Sequence, residues 1–148
     1  MLASTAQVEQ QRGHGLQLVD ARPSSYFAGS AKSDKAPRAG TIPGALNLPQ
    51  QDFLQQGDDT DGGDAWFFDA RKVSALVDQS GLATDEPVAT FCNTGTLASV
   101  DWFALSEVAG MRNVRLYDGG MVAWTTDQTL PVQIGEQGEK RIVDPAEM

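Results

Sequence analysis

The chain has 148 residues, 41% of them apolar, with a formal charge of −9 and a pI near 4.4. That length suits one domain with a core of its own, and an acidic chain with no basic stretch argues against nucleic acid as a partner. No apolar run approaches the roughly 20 residues of a membrane span, and the start, MLASTAQVEQQ, has no apolar core before a cleavage site, so no signal peptide is read there.

In chain order, Ser4 or Thr5 caps a short helix carrying Ala6, Val8 and Glu9 and ended by Gly13. LQLVDA (16–21) reads as a buried strand. Ser24 and Ser25 open a turn of helix around Tyr26 and Phe27, and the Gly-, Ser- and Pro-rich segment 28–44 reads as a long loop. GALNLP (44–49) is a second short strand closed by proline. The acidic stretch QQGDDTDGGDAW (55–66) reads as a solvated loop, because neither Gly62 nor Gly63 at the turn position sets a calcium-binding register.

Residues 69–82 have the pattern of a helix, with Asp69 at the amino end, Val73, Leu76 and Val77 on one face and Gly81 as stop. PVATF (87–91) is a third strand. A second strong helix, 97–110, carries Val100, Phe103, Ala104 and Val108 at helical spacing and ends at Gly110. NVRLYDGG (113–120) is a strand running into two glycines, and GMVAW (120–124) is one more helical turn before LPV and a polar tail. Trp66, Trp102 and Phe103 read as packing aromatics, Trp124 as core. Strands alternating with helices predict an α/β domain with a mostly parallel sheet, residues 1–135 as a single unit and 136–148 as a polar tail.

Cys92 is the only cysteine, so no internal disulfide forms, and His14, alone between Gly13 and Gly15, reads as solvated; no metal site is expected. The thiol stands where a strand gives way to a helix, the place where open α/β sheets bind ligands. The first N–H groups of a helix lack internal partners and act together as a partial positive charge. A loop such as Asn93-Thr94-Gly95-Thr96 is able to curl its amides inward as an anion-holding nest, with Gly95 in the left-handed conformation. Such surroundings bring cysteines from a pKa of about 8.5 to roughly 3.5–7.5, which makes the thiolate the major form. The competing reading is a small hydrophobe in the core, the commonest fate of a free cysteine.

Three separated segments together resemble the rhodanese family of sulfurtransferases. LVDARPSSYF (18–27), with Asp20 and Arg22, continues into GTIPGALNLP (40–49); FCNTGTLAS (91–99) matches the active-site loop; VRLYDGGMVAW (114–124) matches the signature near the carboxyl end. The resemblance covers roughly residues 4–132. It implies a doubly wound five-stranded parallel sheet with helices on both faces, and sulfur transfer through a persulfide on Cys92. The substrate-binding loop would be Asn93, Thr94, Gly95, Thr96, Leu97 and Ala98, supported by Asp20, Arg22, Asp118, Gly119 and Gly120. No cofactor is implied. The implied partners are a small sulfur-containing anion or persulfide donor and a thiol acceptor, with no nucleic acid and no membrane.

Asn93 and Leu97 stand where many active members carry cations, and Tyr26 stands where tandem thiosulfate-using members tend to place an arginine. The pocket therefore lacks the charges that grip a dianion, and a less charged or protein-borne donor becomes the expectation. A rhodanese-like sulfur-relay or interaction module with little turnover of small donors is the alternative. Phosphatases related to this fold end a longer loop in arginine, where this chain has Ala98, and commonly have histidine at the place of Phe91. The insertion AGSAKSDKAPRAG (28–40) resembles the carboxyl-terminal halves of tandem members, which leaves a second rhodanese domain or a partner protein open. A cytoplasmic protein and a processed periplasmic one would both have this composition.

Overall fold

The computed structural model describes residues 1–56, 66–135 and 141–143. Helix α1 (Thr5–Gln11) leads to strand β1 (Gln17–Asp20), α2 (Ser24–Ala28), β2 (Leu46–Asn47) and a 3₁₀ turn (Gln50–Phe53). A hairpin of β3 (Leu54–Gln56) and β4 (Trp66–Phe68) precedes α3 (Ala70–Ser80), β5 (Val88–Phe91) and α4 (Thr96–Phe103). A π turn (Ala104–Val108), β6 (Val114–Tyr117), α5 (Gly120–Thr126), β7 (Val132–Ile134) and β8 (Arg141–Val143) complete it.

The central sheet has the order β2-β1-β5-β6, and every pairing is parallel. Alternating side chains divide between its faces, as the two-residue period of a strand requires. Leu18, Ala89, Phe91 and Tyr117 pack with Val8, Phe27, Met121 and Trp124 of α1, α2 and α5. Val19, Val88 and Val114 pack with Val73 and Val77 of α3 and with Ala104 and Leu105 after α4. The fold is thus α/β and doubly wound, as expected. Its described regular strands in this sheet number four. The fifth position, beside β6, is held by a single parallel bridge from Leu2 to Leu116, too short to be a strand.

Local signals explain most boundaries. Ser4 closes a capping box with Gln7 ahead of α1. Asp69 caps α3 by accepting from the N–H groups of Arg71 and Lys72, and Gly81 ends that helix in the left-handed conformation. The long loop 28–44 is anchored through its second half. Arg38 donates to the carbonyls of Thr125, Asp127 and Leu130 around the end of α5, and Thr41 pairs with Gln133 of β7.

Four expectations need correction. The second strong helix closes in a π turn, with the Ala109 N–H reaching the Ala104 carbonyl at 2.8 Å. Its inward face is Ala98, Asp101, Ala104 and Leu105, while Val100 is half-buried and Phe103 is 44% exposed. Phe103 rests on Phe68 from outside, because the hairpin covers only one of its sides. Trp66, expected to pack, is 57% exposed. The LPV segment enters a strand, β7, that pairs with β8. Residues 57–65 of the acidic loop and most of the polar tail lie outside the described residues.

Candidate active site

The strand order places the topological switch point between β1 and β5. From β1 the chain crosses outward to β2, and from there it returns past β1 to β5. Crevices at such points, beyond the carboxyl ends of the strands, are where this architecture binds ligands. Cys92 directly follows β5, and the Asp20–Arg22 pair stands at the end of β1. The N–H of Ala21 donates to the carbonyl of Phe91 at 2.9 Å and ties the two ends together.

The loop after Cys92 curls back on the sulfur. The N–H of Gly95 donates to Cys92 Sγ at 3.0 Å. Gly95 holds φ at +95°, and a Cβ there would press on Asp118 Cα at 3.2 Å. This is a position that glycine alone fills without strain. The opposite side of the loop is held by α5. The N–H groups of Met121 and Val122 donate to the carbonyls of Cys92 and Asn93 at 2.8 and 3.2 Å. Two orphan donors of a helix start are thereby satisfied by loop carbonyls. Gly120 makes this approach feasible. Its φ is +58°, and a Cβ would run into the carbonyl oxygen of Cys92 and lie 2.5 Å from that of Asn93.

Asp20 and Arg22 brace the other wall. Both are buried, with Arg22 Nε 2.9 Å from Asp20 Oδ1 and its Nη2 2.7 Å from Oδ2. Thr41 donates a further 2.8 Å bond to Oδ2, and the same Nη2 donates to the Gly40 carbonyl. The free edge of the guanidinium reaches Asn93 Oδ1 at 3.2 Å. A buried ion pair with these additional bonds is geometrically specific, and here its outer end holds the first residue of the cysteine loop.

Of the residues singled out in the sequence, Asn93, Gly95, Ala98, Asp20, Arg22 and Gly120 converge on this point. Thr94 and Thr96 face outward and Leu97 is half-buried. Asp118 has an exposed side chain and meets the loop through its backbone. Gly119 lies against the Tyr117 ring, where a Cβ would sit 2.9 Å from it. Cys92 is 2% exposed, packed with Ala21 and Ala98 and flanked by Leu97 and Leu116. An open cleft of about 810 Å³ lies alongside, and Ala21 belongs to both its lining and the packing around Cys92. Ser24, Ser25, Ser30, Asn47, Gln50, Gln51 and Asp52 supply its polar groups, and no basic side chain among the described residues lines it.

Three contributors went unnoticed in the sequence. Thr41 donates to the Asp20 carboxylate, and Asn47 at the end of β2 donates to the Asp20 and Arg22 carbonyls, and no local pattern signals that. Asp101 is buried on α4; a carboxylate among apolar positions on an inward helix face was the available signal. Among the described residues, no group of three or more His, Cys, Asp or Glu side chains is placed to hold a metal, and no helix is long and apolar enough to cross a membrane.

Comparisons with known proteins agree with this geometry. The chain is 34% identical over 120 residues to the 3-mercaptopyruvate sulfurtransferase of Escherichia coli strain K12, covering 79% of this chain and 39% of that protein. It is 29% identical over 126 residues to the sulfur carrier protein TtuD of Thermus thermophilus, covering 81% and 42%. It thus spans about two fifths of the length of these relatives. Among solved structures, the anaerobic ergothioneine biosynthesis enzyme from Chlorobium limicola superposes with a TM-score of 0.77 at 21% identity, over 90% of this chain and 32% of that one; this likeness concerns the fold. The profile of the rhodanese-like domain matches residues 4–127. On the fold, the cysteine loop and this match, the chain belongs to the rhodanese-like domain family.

Proposed function

We propose that this chain is a sulfurtransferase that moves a sulfane sulfur from thiosulfate or a persulfide donor to a thiol or cyanide acceptor through a persulfide on Cys92. In the first half-reaction the Cys92 thiolate attacks the outer sulfur of the donor. A Cys92 S–S bond forms, the donor's own bond to that sulfur breaks, and its electron pair leaves with the donor, as sulfite when thiosulfate is used. In the second, the acceptor anion attacks the outer persulfide sulfur, and Cys92 departs as thiolate. No oxidant or reductant is consumed.

The observation that carries this reading is the Gly95 N–H aimed at Sγ from 3.0 Å in a loop whose carbonyls are drawn off by α5. Donors held in place before reaction cost no reorganisation as charge moves between sulfurs. In this reading residues 93–98 receive the donor, Asp20 and Arg22 fix Asn93, and Asp118, Gly119 and Gly120 seat the loop. Residues 1–135 act as one domain, either alone or beside a second rhodanese domain or a partner protein.

The neutral Asn93 and Leu97 in the cysteine loop favour a weakly charged or protein-borne donor over free thiosulfate. The same observation supports the second reading, a sulfur-relay or interaction module with little small-donor turnover. Intact mass before and after thiosulfate, with Cys92→Ala as control, tests the proposal. A gain of one sulfur only when the thiol is present, discharged by cyanide, is the expected result. A mass that does not change with any persulfide donor removes it. A thiosulfate KM as low as in arginine-lined relatives would refute the donor preference alone.

A further inference from the structure

The cleft that adjoins Ala21 has no part in the reaction above. Its volume of about 810 Å³ is that of a small-molecule site, and the donor-receiving residues 93–98 supply none of its lining. Asn47, on one wall, donates through Nδ2 to the carbonyls of Asp20 and Arg22 at 3.0 and 2.8 Å. A carbonyl only accepts, so these two bonds fix which way the amide is turned. Asn47 Oδ1 is left open, with no hydrogen-bond partner among the described residues. Asp52 adds an exposed carboxylate, the one charged side chain among the described lining residues. Both groups accept hydrogen bonds, while the hydroxyls of Ser24 and Ser25 serve either way. The cleft therefore suits a ligand that donates, and its charge suits a cation, an attraction that the net charge of −9 reinforces. Ala21 belongs both to this lining and to the packing around Cys92. The N–H of Gln50 donates to the Ala21 carbonyl at 2.9 Å and ties the Asp52 turn to the end of β1.

We propose that this cleft is the acceptor site and that it selects thiols carrying an ammonium group, recognised by Asp52 and Asn47 Oδ1. The inference rests on the sulfurtransferase reading and deepens it by naming the class of acceptor. In the transfer step the acceptor thiolate attacks the outer sulfur of the Cys92 persulfide, which stands about 2 Å beyond Sγ. A bond forms between these two sulfurs, the bond to Sγ breaks, and its electron pair returns to Cys92 as thiolate. The product is the persulfide of the aminothiol, and the ammonium keeps its protons throughout. Donor and acceptor are thus selected by different residues, the loop for the first and the cleft for the second.

The test loads Cys92 of the full chain with sulfur and follows its discharge in a single turnover. The acceptors are 2-aminoethanethiol, 2-mercaptoethanol and mercaptoacetate, which carry an ammonium, a hydroxyl and a carboxylate. Dividing each rate by that in Asp52→Asn cancels the intrinsic reactivity of the thiol. The ratio is expected to be about five for the ammonium thiol, the factor that opposite unit charges about 4 Å apart in water supply. It should be near unity for the hydroxyl thiol and below unity for the carboxylate thiol, and added salt should draw all three together. Loading from thiosulfate should be no slower in Asp52→Asn. Equal ratios for the three thiols overturn the proposal and leave the sulfurtransferase reading standing. The ammonium site is also read by binding, with no sulfur on Cys92. The unreactive thioether 2-(methylthio)ethylamine should shift the amide NMR signals of Asn47 and Asp52 in the parent, and that of Asn47 much less in Asp52→Asn. The uncharged 2-(methylthio)ethanol should shift neither. Signals that stay unmoved by the ammonium compound overturn the site. Failure of every donor to load Cys92 would instead overturn the sulfurtransferase reading, and the acceptor role with it.

Discussion

Gly120 and Asp101 mark opposite ends of what a single residue does in this protein. Gly120 has no side chain because the Cys92 and Asn93 carbonyls occupy that space. Gly120→Ala is expected to cost about 2–3 kcal/mol from left-handed strain and the clash together, read as a lower denaturant midpoint. The Cys92 persulfide yield should fall with it, since the loop is displaced. Asp101 instead keeps a buried carboxyl with no hydrogen-bond partner among the described residues. Its proton is held more tightly in the folded chain than in the unfolded one. That stabilising contribution is complete below the unfolded pKa of about 3.9 and is lost as pH rises towards the folded one. Asp101→Asn, which cannot ionise, should therefore melt close to the parent near about pH 4 and progressively above it as pH rises. Thermal unfolding across that range checks it; a constant difference would show that the proton is held no more tightly in the folded chain than in the unfolded one.

At the scale of elements, helix ends did what their capping residues dictate. Asp69 sits at the start of α3, away from the cysteine loop, and its carboxylate takes two backbone N–H groups. Asp69→Ala is expected to cost about 1 kcal/mol in chemical denaturation, with the persulfide yield unchanged. Helix α5 behaves differently, because its amino end serves the site instead of a cap. Its first donors hold loop carbonyls, and its last carbonyls are gathered by Arg38 from the loop 28–44. Both ends of this short helix are thus satisfied by tertiary partners. α4 also departs from its predicted form: the amphipathic pattern of 97–110 shows a helix, but the widening into a π turn answers to how Ala104 and Leu105 fit beneath the sheet.

Across the whole molecule, two cores sandwich one sheet, and the site sits where the chain reverses its direction of travel through it. The loop 28–44 is bound into that plan through Arg38 and Thr41. Arg38→Met keeps the aliphatic stem and removes the hydrogen bonds to the end of α5. It is expected to destabilise by about 2 kcal/mol, the range for bonds made by a charged donor, and limited proteolysis should then cut first within 28–44. Cleavage elsewhere would mean the loop is held by its other anchors.

The four strands of the central sheet, the two strong helices and the cysteine at a strand end were legible from residue type and spacing, because periodicity and capping are local properties; the short strands β3, β4, β7 and β8 were not. So were the family and the separated motifs that meet at the site. What the sequence left undecided was which groups meet across the fold. The reach of Arg22 to Asn93 and the seat of the loop carbonyls on α5 join residues far apart or on different elements. The exposure of Phe103 and Trp66 was equally out of reach, since an aromatic residue carries no mark of which neighbour will cover it. Pattern determines which face of an element is apolar; only packing decides what that face meets, and the chemistry at Cys92 depends on the second.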